Sequence, residues 1–180
     1  MVDAPSLVKW KRKYQEWAEM AVPLFKKGKA KDAMSKYPWF KTEHEPFVKP
    51  SKPLSEAKVG LVTTGGYSIG GEQEPMRAYP AFGDEAPQLR LIPMDVDRSK
   101  LEINHPGYDH KYAEEDINSN LPFDRLNELV RDGVIGSLSN ETIMLMGLQP
   151  NVEPLIQHTI PEIVELLKGN EVDLVLLVPS

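Results

Sequence analysis

A chain of 180 residues, 41% hydrophobic and 27% charged, has the composition of one soluble globular domain and is long enough to bury its own core. It contains no cysteine, which excludes a disulfide framework and a thiolate zinc site. The net charge of -6 is unevenly spread: residues 1–52 hold 12 Lys/Arg against 6 Asp/Glu, and residues 53–180 hold the other 9 Lys/Arg and 21 Asp/Glu.

A basic N-terminal arm can serve nucleic acid or an acidic partner, or it can pack on its own acidic body. Aromatic residues at helical spacing favour the last reading, and nucleic acid is not an expected partner. Leu7, Trp10, Tyr14, Trp17, Ala21 and Leu24 recur at steps of three and four, which puts them on one helix face. That face can dock a partner subunit or cover the chain's own core. Pro23 is expected to end or kink the helix. A polar turn follows from Lys26 to Lys31, around Gly28. Pro38, Pro46, Pro50 and Pro53 then mark residues 37–54 as an extended connector. Residues 1–53 thus read as a basic helical arm with a Pro-rich connector, and residues 54–180 as an α/β domain.

The body opens with Lys58-Val59-Gly60-Leu61-Val62-Thr63-Thr64-Gly65-Gly66-Tyr67, a buried strand running into a tight loop. Residues 70–88 read as a long loop. Leu89 to Val96 is a second strand, weakened by Pro93. Residues 97–121 are polar and turn-rich. Pro122 can open a helix whose apolar stripe is Phe123, Leu126, Leu129 and Val130, stopped by Gly133. Glu141 to Gly147 is a short apolar strand. A helical pattern then runs from Asn151 to Gly169, split by Pro161. Val172 to Val178 is almost wholly aliphatic, as befits a central parallel strand buried on both faces.

Strands alternating with helices predict an α/β fold: a short, mainly parallel sheet flanked by helices, with a helical N-terminal arm. Ligands of such sheets sit beyond the carboxyl ends of the strands. Three places qualify: Thr63 to Gly66, the loop after Met146, and Pro179-Ser180.

Two imidazoles and four carboxylates fall between His105 and Asp116. His105, Asp109 and His110 can orient or protonate a small anionic substrate, because imidazole titrates near neutrality and a carboxylate can tune it. They can equally bind a divalent cation, or form a turn whose side chains satisfy backbone groups. The spacing matches no zinc signature, and no metal is assigned. Thr63, Thr64, Gly65 and Gly66 can turn backbone N–H groups toward a carboxylate or phosphate, or can simply turn the strand. They form neither a P-loop nor a GxGxxG fingerprint, and no Gly-x-Ser-x-Gly elbow is present. Trp10, Trp17 and Trp39 read as core or docking residues rather than a cofactor stack.

Thr63-Thr64-Gly65-Gly66, His105-Pro106-Gly107-Tyr108-Asp109-His110, Asp116-Ile117-Asn118, Leu121 to Leu126, Gly133-Val134-Ile135-Gly136, Met146-Gly147 and Val172 to Pro179 resemble, in order, segments of one family. It comprises component B of the glycine, sarcosine and betaine reductases, together with D-proline reductase. The resemblance covers residues 54–180, and the arm carries little of it. It implies reductive C–N cleavage of a small amine or amino-acid derivative. Thr63, Thr64, Gly65, Gly66 and Tyr108 are then read as substrate-binding, and His105, Asp109 and His110 as catalytic. Partners would be other reductase subunits, in a homo- or hetero-oligomer. One of them would carry a pyruvoyl group that forms an imine with the substrate amine.

In this family the Val-Pro strand end is followed almost at once by a selenocysteine or cysteine. That redox residue is expected just after Ser180, where this sequence stops, so the chain is expected to be incomplete at its C-terminus. A selenocysteine codon read as stop, a division of the polypeptide at that point, and a subunit without a redox role all remain open. A non-enzymatic binding or scaffold subunit is the alternative function. No signal-peptide pattern is visible and no apolar run reaches the roughly 18 residues of a membrane span, so the cytoplasm is the expected compartment.

Overall fold

A computed structural model describes residues 4–41, 48–77 and 83–180. Helix α1 spans Ala4–Lys26, and short helix α2 spans Ala30–Met34. The body holds strands β1 (Lys58–Thr63), β2 (Tyr67–Ile69), β3 (Arg90–Pro93), β4 (Leu101–Ile103), β5 (Ser137–Leu138), β6 (Glu141–Met144) and β7 (Leu174–Val178). Its helices are α3 (Lys111–Glu115), α4 (Phe123–Arg131), α5 (Val152–Pro154) and α6 (Ile160–Gly169), with a π turn, Leu155–Thr159, before α6.

β1 lies at the centre of a five-stranded, mainly parallel sheet. Its first residues pair with β5 and its last with β6, both in parallel. β7 takes the other side in parallel, in register from Val59 opposite Leu174 to Thr63 opposite Val178. β3 adds the antiparallel edge beyond β6. β2 and β4 form a separate antiparallel pair.

Alternation along the strands divides the core between the two faces of the sheet. Val59, Leu61, Met144 and Met146 join Phe123 and Leu126 of α4 on one face. Val62, Ile143 and Leu145 meet Ile163, Leu166 and Leu167 of α6 on the other. A central strand covered on both faces must be apolar throughout, which accounts for the unbroken burial of Val59 to Thr63.

The arm has its own aromatic core. Trp10, Tyr14, Trp17 and Ala21 are buried against Ala33 and Tyr37, with the Trp10 and Tyr14 rings stacked at 5.0 Å. Indole N–H groups tie the returning chain to α1: Trp17 Nε1 donates to the Ala33 carbonyl at 2.9 Å, and Trp10 Nε1 to that of Pro38 at 2.6 Å. Val152 and Ile156 pack against this cluster, and Lys11 pairs with Glu153 at 2.6 Å. The helix face therefore covers the chain's own body.

Four expectations need correction. α1 continues past Pro23 to Lys26, because Leu24 and Phe25 pack into the arm's core and offset the lost backbone bond. Residues 26–31 are not all turn, since α1 includes Lys26 and α2 starts at Ala30. The stretch 97–121 contains β4 and α3. Finally, β7 is an edge strand and not a central one: β1 is its sole strand partner among the described residues, and Leu177 is 69% exposed. Of the connector, residues 42–47, including Pro46, lie outside the described residues, as do residues 78–82 of the long loop. No helix among the described residues is long and apolar enough to cross a membrane.

Candidate strand-end site

The three predicted strand ends converge. Thr64 N–H donates to the Val178 carbonyl at 3.2 Å, and Ser180 N–H donates to Thr64 Oγ1 at 2.9 Å. Gly66 N–H donates to the Leu145 carbonyl at 3.1 Å, and Gly65 bridges Met146. The ends of β1, β6 and β7 are thereby sewn together at Thr64, Met146-Gly147 and Ser180. A cleft of about 550 Å³ opens beside them. Thr64, Gly147 and Ser180 line one side, and Tyr37, Trp39 and Phe40 of the arm line another. Among the described residues, no charged one lines it.

Only Thr64 of the Thr63 to Gly66 segment borders this cleft. Thr63 is buried: its Oγ1 donates to the Asn120 carbonyl at 3.2 Å and accepts from Gly65 N–H at 3.2 Å. Gly65 and Gly66 are buried as well, and Gly66 has φ +66°, a left-handed conformation that glycine adopts without strain. Tyr108 braces the turn from behind. Its hydroxyl donates to the Gly65 carbonyl at 3.1 Å and accepts from Asn120 Nδ2 at 2.7 Å. Burial raises the Tyr108 pKa, so the hydroxyl stays protonated near neutral pH and can make that donation.

The His-Asp-His segment is split. His105 is 4% exposed and lies under the strand ends. Gly107 N–H donates to its Nδ1 at 2.9 Å, which leaves the proton on Nε2 in the neutral ring. Burial lowers its pKa, and His110 lowers it further by charge. His110 Nε2 sits 2.6 Å from the His105 carbonyl oxygen, and its ring borders a second cleft with Tyr67, Arg98 and Glu102. Asp109 is exposed, and its Oδ1 accepts from Lys111 N–H at 3.1 Å at the start of α3. The structure thus joins His105 to the strand ends, turns His110 to another face, and gives Asp109 a turn-stabilising bond. No group of three or more His, Asp or Glu among the described residues is arranged to hold a metal ion.

Sequence reasoning named the loop after Met146 but not Gly147 as a site residue, and it did not place the arm aromatics at the cleft. A side chain at Gly147 would begin 2.6 Å from His105 Nε2 and 3.2 Å from the Ser180 carbonyl oxygen. Met146-Gly147 is visible as a motif, but its neighbours come from three distant segments. Tyr37 O–H donates to the Pro150 carbonyl at 2.7 Å, a contact across 113 residues that no local pattern announces.

The family model described as Glycine/sarcosine/betaine reductase selenoprotein B matches residues 10–180. The match includes most of the arm, which corrects the expectation that the likeness begins at residue 54. The chain is similar to the glycine reductase complex component B subunit gamma of Symbiobacterium thermophilum, 33% identical over 154 residues, covering 86% of this chain and 35% of that protein. It is also similar to the subunit of that name from Peptoclostridium acidaminophilum, 30% identical over 115 residues, covering 64% of this chain and 26% of that protein. The sarcosine reductase complex component B subunit beta of the same organism is 30% identical over 102 residues, covering 56% of this chain and 23% of that protein. The chain spans about a third or less of the length of these relatives. No solved structure gives a significant match. With the family's sequence pattern running through nearly all of it, arm and sheet alike, the chain belongs to the glycine/sarcosine/betaine reductase selenoprotein B family.

Proposed function

We propose that the chain supplies the strand-end part of a reductase site that cleaves the C–N bond of a small amine or amino-acid derivative of the glycine, sarcosine, betaine or D-proline type. The observation that carries this reading is the meeting of three strand ends beside the cleft, at the motif residues Thr64, Gly147 and His105. For glycine the reaction balances as the zwitterion plus two electrons and two protons giving acetate and ammonium. The C–N bond breaks, a C–H bond forms in its place, and the amine leaves protonated. Oxidation of two thiols to a disulfide, or of a selenol and a thiol to the mixed product, supplies both electrons and both protons. With no cysteine in this chain, that pair comes from outside it. A selenolate or thiolate would contribute the nucleophilic and redox chemistry.

The chain's own residues bind and position. Thr64 holds the end of β7 through its hydroxyl, Tyr108 and Asn120 stiffen the glycine turn, and the arm aromatics form the facing side of the cleft. Association with other reductase subunits belongs to the same proposal.

Thr64→Val keeps the shape and removes the acceptor for Ser180 N–H. In the assembled complex it is expected to lower kcat/KM for amine release roughly tenfold, through misplacement of the strand end. Unchanged kcat/KM for every amine tested would remove the strand end from the site and favour a binding or scaffold role.

A further inference from the structure

Strand β7 lacks the devices that protect a free sheet edge. Its residues, Leu174-Val175-Leu176-Leu177-Val178, include no charge and no proline. An edge with neither is a template for pairing with another strand. The opposite edge of the sheet is built differently: β3 carries Arg90, ends in Pro93, which has no N–H to donate, and exposes none of its residues. In β7, Val175 is 41%, Leu176 38% and Leu177 69% exposed. Register places them on both faces of the sheet. Val175 and Leu177 stand beside Gly60 and Val62 on the face that α6 covers, and Leu176 stands beside Leu61 on the face that α4 covers. Ile160 and Val164 of α6 are exposed as well. The bare apolar surface of β7 therefore wraps the open edge.

Parallel strands are stable when both of their faces are covered, and the cover comes with the next strand, as the crossover helix that joins parallel neighbours. One more strand and helix beside β7 would complete its ladder and close over Val175 and Leu177. The family has the length to supply them: about two thirds of the Symbiobacterium thermophilum relative lies outside its match to this chain. We propose that β7 is the docking edge for that further part of the family's length, which lays a strand parallel to β7 and a helix over Val175 and Leu177. A second copy of this chain is the competing occupant. It would pair about a two-fold axis, antiparallel to β7, and would leave the relatives' further length without a place. The edge serves this assembly whichever amine is cleaved.

Electron cryomicroscopy of the assembly that carries this chain, purified from its natural source, shows the occupant of the edge directly. The expected result is a strand hydrogen-bonded to β7 in parallel, with a sequence that matches the part of the relatives absent from these 180 residues. A β7 edge open to solvent, a strand antiparallel to it, or a second copy of this chain in that place overturns the proposal. Hydrogen exchange gives an independent reading. The β7 amides are expected to exchange more slowly in the assembly than in the isolated 180-residue chain. Leu177→Lys in the assembly should remove that added protection by about 30-fold, the effect of losing one central interface anchor, and leave β1 and β6 protected. Leu177→Met, which keeps an apolar side chain, should retain it. Equal exchange of the β7 amides with and without the rest of the assembly, or full protection in Leu177→Lys, overturns the proposal. Failure of amine release with the added strand in place would instead sink the proposed reaction and leave the docking edge standing.

Discussion

Replacing Phe123 with alanine is expected to lower folding stability by about 3–5 kcal/mol, a large share of the roughly 5–15 kcal/mol that holds a domain folded. Phe123 is 0% exposed and opens α4 against the sheet. Its ring fills the face formed by Leu61, Ile92, Met144 and Leu126, and the Arg98 guanidinium covers it at 4.4 Å from the ring centre. Truncation to alanine removes both the buried apolar surface and the ring under that cation, and leaves a cavity that fixed strands cannot close. Phe123→Leu retains most of the volume and is expected to cost only about 1 kcal/mol. Urea denaturation of the three proteins checks this. The midpoint should fall far for alanine and little for leucine. A loss for alanine of less than about 1 kcal/mol would mean that α4 does not clamp this face.

The second large effect is expected at Gly147. Alanine there puts a methyl group 2.6 Å from His105 Nε2 and 3.2 Å from the Ser180 carbonyl oxygen. The imidazole has little room to retreat, with Gly107 on its Nδ1 and Gly66 behind its Cβ. Strand β7, whose outer edge is unpaired among the described residues, is the freer neighbour and should yield. The expected cost is about 1–3 kcal/mol, the usual range for forcing extra volume into a packed site. Hydrogen exchange should localise it: the amides of Thr64 and Ser180, which hold the end of β7, should exchange faster, while those of β3 and β6 stay protected. Unchanged protection at Thr64 and Ser180 would show that the strand end is not sewn down at this point.

Much of the sheet was legible because burial on both faces leaves a continuous apolar run. Val59 to Val62 and Thr142 to Met144 could hardly be anything but strands. The same rule misplaced β7. An aliphatic run reports what a strand can bury, and β7 lies at an edge with Leu177 exposed. Three-residue strands such as β4 are too short to show a period, so they vanished into a polar stretch. In the site, the carboxyl-end rule picked out three places that the fold brings together, because parallel strands bring like ends together. It could not tell which side chains face the cleft. His105 and His110, five residues apart, point to different surfaces because Gly107 and the turn before α3 redirect the chain between them. Nor could local pattern show that Tyr37 and Trp39 of the arm would stand across from Thr64.

The most direct test of the central claim is made on any complex that carries this chain, purified from its natural source. It measures dithiol-dependent release of ammonia from glycine, methylamine from sarcosine and trimethylamine from betaine, and ring opening of D-proline. Reductive release from at least one of these, lost when the selenol or thiol is alkylated, is the expected result. A complex that holds its subunits together yet cleaves none of the four would contradict the assignment of C–N bond reduction to this strand end.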